Sequence, residues 1–547
     1  MKDNKLQDSL LMGALASSFG IFLSKLLGLF YYSPLSAIAG ESNMAFYSIA
    51  YTYYDLLLQI SSAGIPFAIA LLVAKYVAKK DYKTVLLIKK LGTSIVLALS
   101  VVIGFVFVLI ATPLAKQSLG ASAPIEDINN LKNLFYILTI AIILVPFLSS
   151  VRGYVQGLKR LDIYGASQAL EQFARVLSII IGAYVIVRVF SFDSIWAIYV
   201  AIAAASVGAL IAIVFTKTFS KKDEEHVIEL AKAQQGNVVK TNKEIINEIL
   251  SIGVPYLIIS FLGTAGPLVN TTFFLDYMTK VNGPQAYESA KLAAGILQAN
   301  IAKISNIPSV LALGFGSGMV PYLSEALEEN NNHKITRYIN QILDTVCIIL
   351  IPLIFIFIFF AKDVYYIMYG NSNLELGAYL FRISNIQIFL GTIAPVFSSI
   401  MMSLKLRKDS ILALVISFIV KLITFFPCVK LFGSVGMIYS SGLYYLVQIL
   451  MYFYFLRVNF NINVRGASKR FVMISLCSLL MVLPAVLLHG LVPFDYTDRI
   501  FDIVIMAVLG IVMLGIYYFV TKKTGLLAKI FELKDVSLLK VLRKYRS

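Results

Sequence analysis

The chain has 547 residues, of which 59% are hydrophobic and 14% charged, and its mean hydropathy is +0.82. Soluble chains carry about 25% charged residues, so a soluble globular enzyme or a string of soluble domains is excluded. The net charge of +17 does not point to nucleic acid, because the basic residues fall between apolar blocks and not on one soluble face.

The apolar blocks are about 20 residues long, enough for a helix to cross a hydrocarbon core of about 30 Å. They are continuously apolar and do not alternate with period two, which excludes a β-barrel. In chain order the predicted spans are 9–33, 44–74, 91–112, 131–151, 166–187, 194–216, 247–275, 292–324, 338–361, 376–403, 409–429, 434–456, 471–490 and 500–520. The expected fold is an all-α polytopic membrane protein of about 14 transmembrane helices, arranged as two parallel six-helix lobes plus a C-terminal helix pair. The first block is too long for a signal-peptide core and lacks a small-residue cleavage site, so it is read as a span.

Loop charge sets the orientation. With the N-terminus inside, 34 Lys and Arg residues fall on the cytoplasmic side and 8 on the other. Both termini are therefore expected in the cytoplasm. Residues 1–217 form an N-terminal lobe, 218–243 a cytoplasmic linker, 244–458 a C-terminal lobe, 459–520 the last two spans, and 521–547 a basic amphipathic tail. In that tail Leu526, Ile530, Leu533 and Leu538 interleave with Lys529, Lys534, Lys540 and Arg543, the pattern of a helix lying on an anionic leaflet. Three weak internal matches near an offset of 250 residues relate the lobes in parallel. They are Ser62–Pro66 with Ser305–Pro308, Ala111–Gly120 with Ala361–Gly370, and Ser149–Val151 with Ser398–Ile400.

A charge at mid-bilayer costs ~2.5–3.5 kcal/mol on insertion scales, so the few charges inside spans stand out. Lys25, Arg175, Lys303, Arg382 and Lys421 are the basic residues within spans. Lys25 and Lys303 belong to different lobes and are candidates to face one cavity. Lys291, Gln298 and Ser305 repeat every seven residues with Lys303 and Asn306 alongside, which gives span 8 a polar face suited to lining a cavity or to fastening the bundle. Gln168, Glu171, Gln172 and Arg175 form one stripe on span 5, and Arg152 ends span 4. This set reads either as a gate or as an ion-pair network. Pro66 and Pro308 mark helix breaks.

Catalytic signals are poor. Cys347, Cys428 and Cys477 lie in apolar blocks, His226 and His333 in cytoplasmic connectors, and His489 at an outer edge. No metal-ligand spacing, phosphate-binding glycine loop or nucleophile–base set is present in the sequence, and Asp495 and Asp498 read as solvated loop charge.

Several stretches resemble a known family. They are Ser24-Lys-Leu-Leu-Gly28, Ala63-Gly-Ile-Pro66 with Ala74-Lys-Tyr76, Arg152-Gly-Tyr-Val-Gln-Gly157, Glu171-Gln172 with Arg175, and Lys303…Ile307-Pro308…Pro321-Tyr322. Together they look like the lipid II flippase MurJ and stage V sporulation protein B-like polysaccharide transporter family, within the multidrug/oligosaccharidyl-lipid/polysaccharide exporter superfamily. The resemblance implies a flippase, not an enzyme. It implies export of undecaprenyl-diphosphate-linked peptidoglycan precursor across the bacterial plasma membrane by alternating access, with cell-wall synthesis machinery as a candidate partner. In that family's pattern Lys25 and Lys303 match the basic residues of spans 1 and 8, and Lys291 joins them as a candidate diphosphate contact. Where some members carry an arginine and an aspartate after the first basic residue, this chain has Tyr31 and Tyr32. No cofactor, metal or nucleic acid is implied. The membrane potential or a monovalent cation gradient is the candidate driving force. A flippase for another polyprenyl-diphosphate glycan and an ion-coupled multidrug exporter are the alternatives, the latter expecting acidic residues in the cavity.

Overall fold

The computed structural model describes residues 27–28, 31–62, 64–234, 240–309, 320–462, 465–491 and 496–531. All regular structure among them is helical. Twelve helices there are long and apolar enough to cross a membrane. They coincide with twelve of the predicted spans. The other two, 9–33 and 292–324, include residues outside those described, so the count of fourteen rests on the sequence. Much of the helical exterior is apolar, as lipid requires: Phe105, Leu109, Ile423, Leu487 and Ile511 are all well exposed.

The chain divides into two compact units, Met1–Asn300 and Ile301–Ser547. The first holds α1 (Tyr32–Ala39), α2 (Met44–Ser62), α3 (Ile65–Ala78), α4 (Tyr82–Leu119), α5 (Ile125–Gly157), α6 (Leu161–Tyr184), α7 (Ile195–Ala233), α8 (Asn242–Asn282) and α9 (Tyr287–Ala294). Helix α8, the seventh predicted span, packs on α2, α3 and α4, so by contact it sits with the N-terminal helices. The predicted lobe boundary at 218–243 therefore does not coincide with the division between compact units.

Local chemistry explains where these helices start and stop. The second span breaks between α2 and α3. Pro66 lies in the first turn of α3 and has no N–H to give the preceding turn, while Gly64 takes φ +85°. Asp81 caps α4 by accepting from the Thr84 amide at 3.2 Å, and Thr241 with Glu244 forms a reciprocal capping box on α8. Helices α4, α7 and α8 contain 38, 39 and 41 residues. At 1.5 Å per residue each outruns a bilayer of about 40–45 Å. The polar stretch from 218 is helical through Ala233 as the projecting end of α7, pinned by Asp223 to Arg160 and by Glu224 to Lys89.

After α9 the chain widens into π winding over Gly295–Ile301 and continues as helix from 302 to 309. The second unit then holds α10 (Val320–Glu328), α11 (Asn332–Phe359), α12 (Ala361–Tyr369), α13 (Leu374–Ser403), α14 (Arg407–Phe432), α15 (Ser434–Phe460), α16 (Arg465–Leu491), α17 (Arg499–Lys523) and α18 (Leu526–Phe531). Helix α14 packs on α15, α13 on α15, and α11 on α16, which also contacts α17. The tail differs from expectation where it is described. Leu526 and Ile530 are buried in a core with Ile348, Cys477, Met481 and Tyr517, so this apolar face covers protein and not lipid.

Candidate functional site

The most connected polar feature of the first unit is built from α2, α5, α6 and α7. Arg152 donates through Nη1 to Glu171 Oε2 at 2.7 Å and through Nε to Ser167 Oγ at 3.0 Å. Glu171 Oε1 accepts from Arg175 Nη2 at 2.9 Å, and Arg175 Nη1 donates to the Tyr51 hydroxyl at 3.4 Å. Ser167 and Thr216 share a 2.7 Å hydrogen bond that extends the chain of contacts to α7. Arg152 and Arg175 are both buried, with 7% and 9% exposure, so one carboxylate holds two guanidinium groups inside the bundle. Gln172, the fourth member of the predicted set, lies elsewhere: a Cβ added at Gly28 would sit 3.2 Å from its Nε2.

An aromatic column adjoins this network. Tyr31, Tyr32, Tyr47, Tyr51 and Tyr54 follow one another at 4.9–5.5 Å between ring centroids, Tyr47 and Tyr51 stacked and the other pairs tilted or edge-on, and the Tyr31 and Tyr47 hydroxyls are 2.9 Å apart. Tyr31 and Tyr32 are thus buried packing residues. Asp55 follows on α2 and is exposed. The loop-charge count passes over this carboxylate, because that count weighs only Lys and Arg.

The glycines of Arg152-Gly-Tyr-Val-Gln-Gly157 explain that motif. A Cβ on Gly153 would lie 2.4 Å from the Pro66 carbonyl oxygen, and one on Gly157 would lie 2.8 Å from the Ala70 oxygen. Two small residues four apart let α5 approach the backbone of α3. Gly153→Val is expected to prevent that approach and to lose most folded protein, because overpacking costs ~1–3 kcal/mol or more when backbone must move. Size-exclusion profiles of the detergent-solubilised variant check this, and a monodisperse peak of normal height would count against it.

The predicted polar face of span 8 is not uniform. Lys291 is 6% exposed. Its Nζ donates to Asp127 Oδ2 at 2.7 Å and lies 4.5 Å from the centroid of the Phe46 ring. Tyr287 donates to the same carboxylate oxygen at 2.8 Å. Lys291 is therefore a neutralised, buried ion pair and not an open cation. Asp127 enters from the first turn of α5, a pairing that spacing alone does not reveal. Gln298 Oε1 accepts from the Thr271 hydroxyl at 2.8 Å, and buried Asn300 donates to Glu41.

In the second unit, Lys303 is half-buried and Asn306 exposed. The Ser305 hydroxyl donates to the Ala302 carbonyl at 2.7 Å. Pro308 lies within the helical stretch 302–309, and the local irregularity is the π winding before it. Lys25 lies outside the described residues. Lys421, fully buried on α14, donates to Ser440 and Ser441 on α15 at 2.8 and 2.9 Å.

At the connector ends charges are paired. Burial pushes the Asp81 carboxyl up, but hydrogen bonds from Thr84 and Gln234 outweigh it and hold it below its usual range. Hydrogen bonds to Asp162 and Asp223 raise Arg160 further. Among the described residues no group of three or more His, Cys, Asp or Glu side chains is placed to hold a metal ion.

These features define a multi-pass α-helical membrane protein with a transporter fold. Two solved structures share it. The lipid II flippase MurJ in an inward-closed conformation has a TM-score of 0.65 at 15% identity, covering 93% of this chain and 99% of its own. An inward-facing multidrug resistance MATE family transporter has a TM-score of 0.62 at 14% identity, covering 82% and 96%. Residues 10–327 match the family described as Polysaccharide biosynthesis protein, and the chain belongs to that family. Residues 285–426 match MatE. The lipid II flippase MurJ of Bacillus subtilis (strain 168) is 27% identical over 544 residues, 96% of this chain and 97% of its own. The uncharacterized membrane protein YabM of the same organism is 27% identical over 319 residues, 58% of this chain and 55% of its own. The resemblance read from the sequence agrees with these matches.

Proposed function

We propose that the protein is a flippase that moves undecaprenyl-diphosphate-linked peptidoglycan precursor, lipid II, from the inner to the outer leaflet of a bacterial plasma membrane by alternating access. The observation that carries this reading is similarity to a lipid II flippase along essentially the whole of both chains. The physics of the cargo supports it. A diphosphate leaving water needs fixed cations to offset its desolvation, and a lysine ammonium serves as a compact point charge. Lys303 and Lys25 are the residues we assign to that task. Lys291 is withdrawn from it by Asp127. The lipid tail stays in the bilayer throughout, and cell-wall synthesis enzymes receive the product.

Depletion of the protein in its host is the direct test. Lipid II is expected to accumulate on the inner leaflet and to become inaccessible to an external probe. Unchanged accessibility, with a different polyprenyl-diphosphate glycan accumulating, would replace lipid II by that glycan.

Transport is also expected to follow the membrane potential. One elementary charge crossing the membrane is worth ~2.3 kcal/mol per 100 mV, and moving a net anion outward from a negative interior is downhill. In proteoliposomes with a valinomycin-imposed potential, flipping should slow by several-fold when the potential is collapsed. A rate that responds only to a sodium or proton gradient would assign the drive to a monovalent cation.

A further inference from the structure

We propose that Lys421 is a proton-binding site of the second unit: its amine stands neutral while α14 and α15 are closed over it, and it takes a proton from solvent when the two helices part. The site is separate from the lysines assigned to the transported lipid and does not depend on that assignment. Lys421 lies well inside α14 with 0% exposure. Its partners are the Ser440 and Ser441 hydroxyls of α15, at 2.8 and 2.9 Å, and the Phe425 ring, whose centroid is 5.3 Å from Nζ. No carboxylate among the described residues lies within ion-pair distance of it. Helices α15 and α13 pack on α14, and their charged groups are engaged or distant. On α13, Glu375 pairs with Lys362, and Arg382 donates to the Ile358 carbonyl. Helix α15 carries Tyr444 and Tyr445 one turn past the serines, and Arg457 only in its last turn. On α14 itself, Cys428 and Lys430 lie two turns or more further on, and Asp409 stands ~18 Å back along the axis.

A buried ammonium without an anion is costly, and a titratable group so placed neutralises instead. The hydrogen bonds have the count that a neutral amine needs. Such an amine has two N–H groups and one lone pair, whereas an ammonium has three N–H groups. Ser440 and Ser441 each donate to the Met437 carbonyl, at 3.1 and 2.9 Å, so both meet the lysine as acceptors. Two N–H groups therefore find two acceptors, and the lone pair is left for a proton. Protonation adds that proton to the nitrogen and breaks no other bond. The third N–H of the ammonium then has only the Phe425 ring, a weaker partner than water or a carboxylate. The charged form thus favours letting water in between α14 and α15. The seam between them is tight on the outer side of Lys421: a Cβ on Gly436 would lie 2.1 Å from the Cys428 carbonyl oxygen, so the two backbones touch there. Loop charge assigns the α14–α15 turn to the outer face, so a proton arriving through a parted seam comes from outside.

The test uses the full-length protein in neutral detergent, with lysine isotopically labelled at Cε and read by NMR. At about pH 8, where solvated lysines are ammonium ions, one lysine resonance is expected at the position of a neutral amine. It should be missing from Lys421→Met. It should move in the double variant Ser440→Ala, Ser441→Ala, which keeps the lysine and serves if Lys421→Met does not fold. Thermal midpoints give a second reading. The folded state holds one proton fewer than the unfolded chain, so stability rises with pH until the unfolded lysine also loses its proton near about pH 10. Over the range from about pH 8 to about pH 10, the folded-to-unfolded ratio of the wild type should gain up to about tenfold per pH unit over that of Lys421→Met. Hydrogen exchange tests the parting of the helices. At about pH 5, corrected for the intrinsic effect of pH, amides over Ser434–Tyr444 should exchange several-fold faster in the wild type than in Lys421→Met, and equally at about pH 8. An ammonium signal for every lysine at about pH 8, parallel midpoint profiles, or equal exchange at about pH 5 would overturn the proposal.

Discussion

Glu171→Leu will destabilise the protein by about 3–5 kcal/mol, because it strands two buried guanidinium groups that share one carboxylate. Arg152 and Arg175 both donate to Glu171, at 2.7 and 2.9 Å. Arg152 Nη2 and Arg175 Nε already lack a hydrogen-bond partner among the described residues. Removing the anion leaves the like charges facing each other in a medium that screens them poorly. The thermal midpoint in detergent should fall sharply, and monodisperse protein should be lost. The triple variant Arg152→Met, Glu171→Leu, Arg175→Met removes the charges together and should recover most of that loss, since apolar replacement of a complete buried network is close to neutral. A wild-type midpoint for Glu171→Leu would show that the pairing stabilises nothing.

The same triple variant separates the two readings of the network. If it folds and supports full flipping, the charges serve packing alone. If it folds and flipping is lost, the chain of contacts from Thr216 through Ser167, Arg152, Glu171 and Arg175 to Tyr51 has a role in transport. Because the network touches α2, α5, α6 and α7, any relative movement of these helices must break or exchange one of its hydrogen bonds. That dependence is what a gate requires, and flipping by the folded triple variant separates gate from staple.

The spans were legible in the sequence because membrane crossing imposes length and apolarity on one contiguous segment. Twelve helices coincide with predicted spans for that reason. The Glu171–Arg175 pair was legible because it lies within one helix turn of spacing. The partners that cross between helices were not. Asp127 gives no sign in sequence that it neutralises Lys291, and Asp55, an acidic residue inside a span, leaves no trace in the loop balance of Lys and Arg. Periodicity also misled at the tail. Leu526 and Ile530 show an amphipathic pattern, but pattern says only that one side is apolar, and here that side covers Cys477 and Met481. The glycine motif was visible as letters, while its cause, the backbone of Pro66 and Ala70, lies in another helix.

Lys303→Ala is expected to reduce lipid II flipping by about 10–100-fold while the protein still inserts and accumulates. The magnitude follows from losing a hydrogen bond between charged groups, worth ~1.5–3 kcal/mol. Lys303 is half-buried, so alanine there opens little space in the core and should leave stability near that of the parent. Lys421 supplies the contrast. It is fully buried and donates to Ser440 and Ser441, so Lys421→Ala removes packing and two buried hydrogen bonds, while both hydroxyls keep their bonds to the Met437 carbonyl. Its effect should appear first in the thermal midpoint and only then in transport. Lys303→Arg keeps the charge and should retain more activity than Lys303→Ala, although the guanidinium fork is not a substitute for a point charge. Flipping measured in proteoliposomes across a range of lipid II densities locates the loss. A contact with the diphosphate made equally in resting and moving states raises the density needed for half-maximal rate, whereas one made only during movement lowers the maximal rate. Full flipping by Lys303→Ala at every density would remove this lysine from the cargo site and return it to the packing of its own helix.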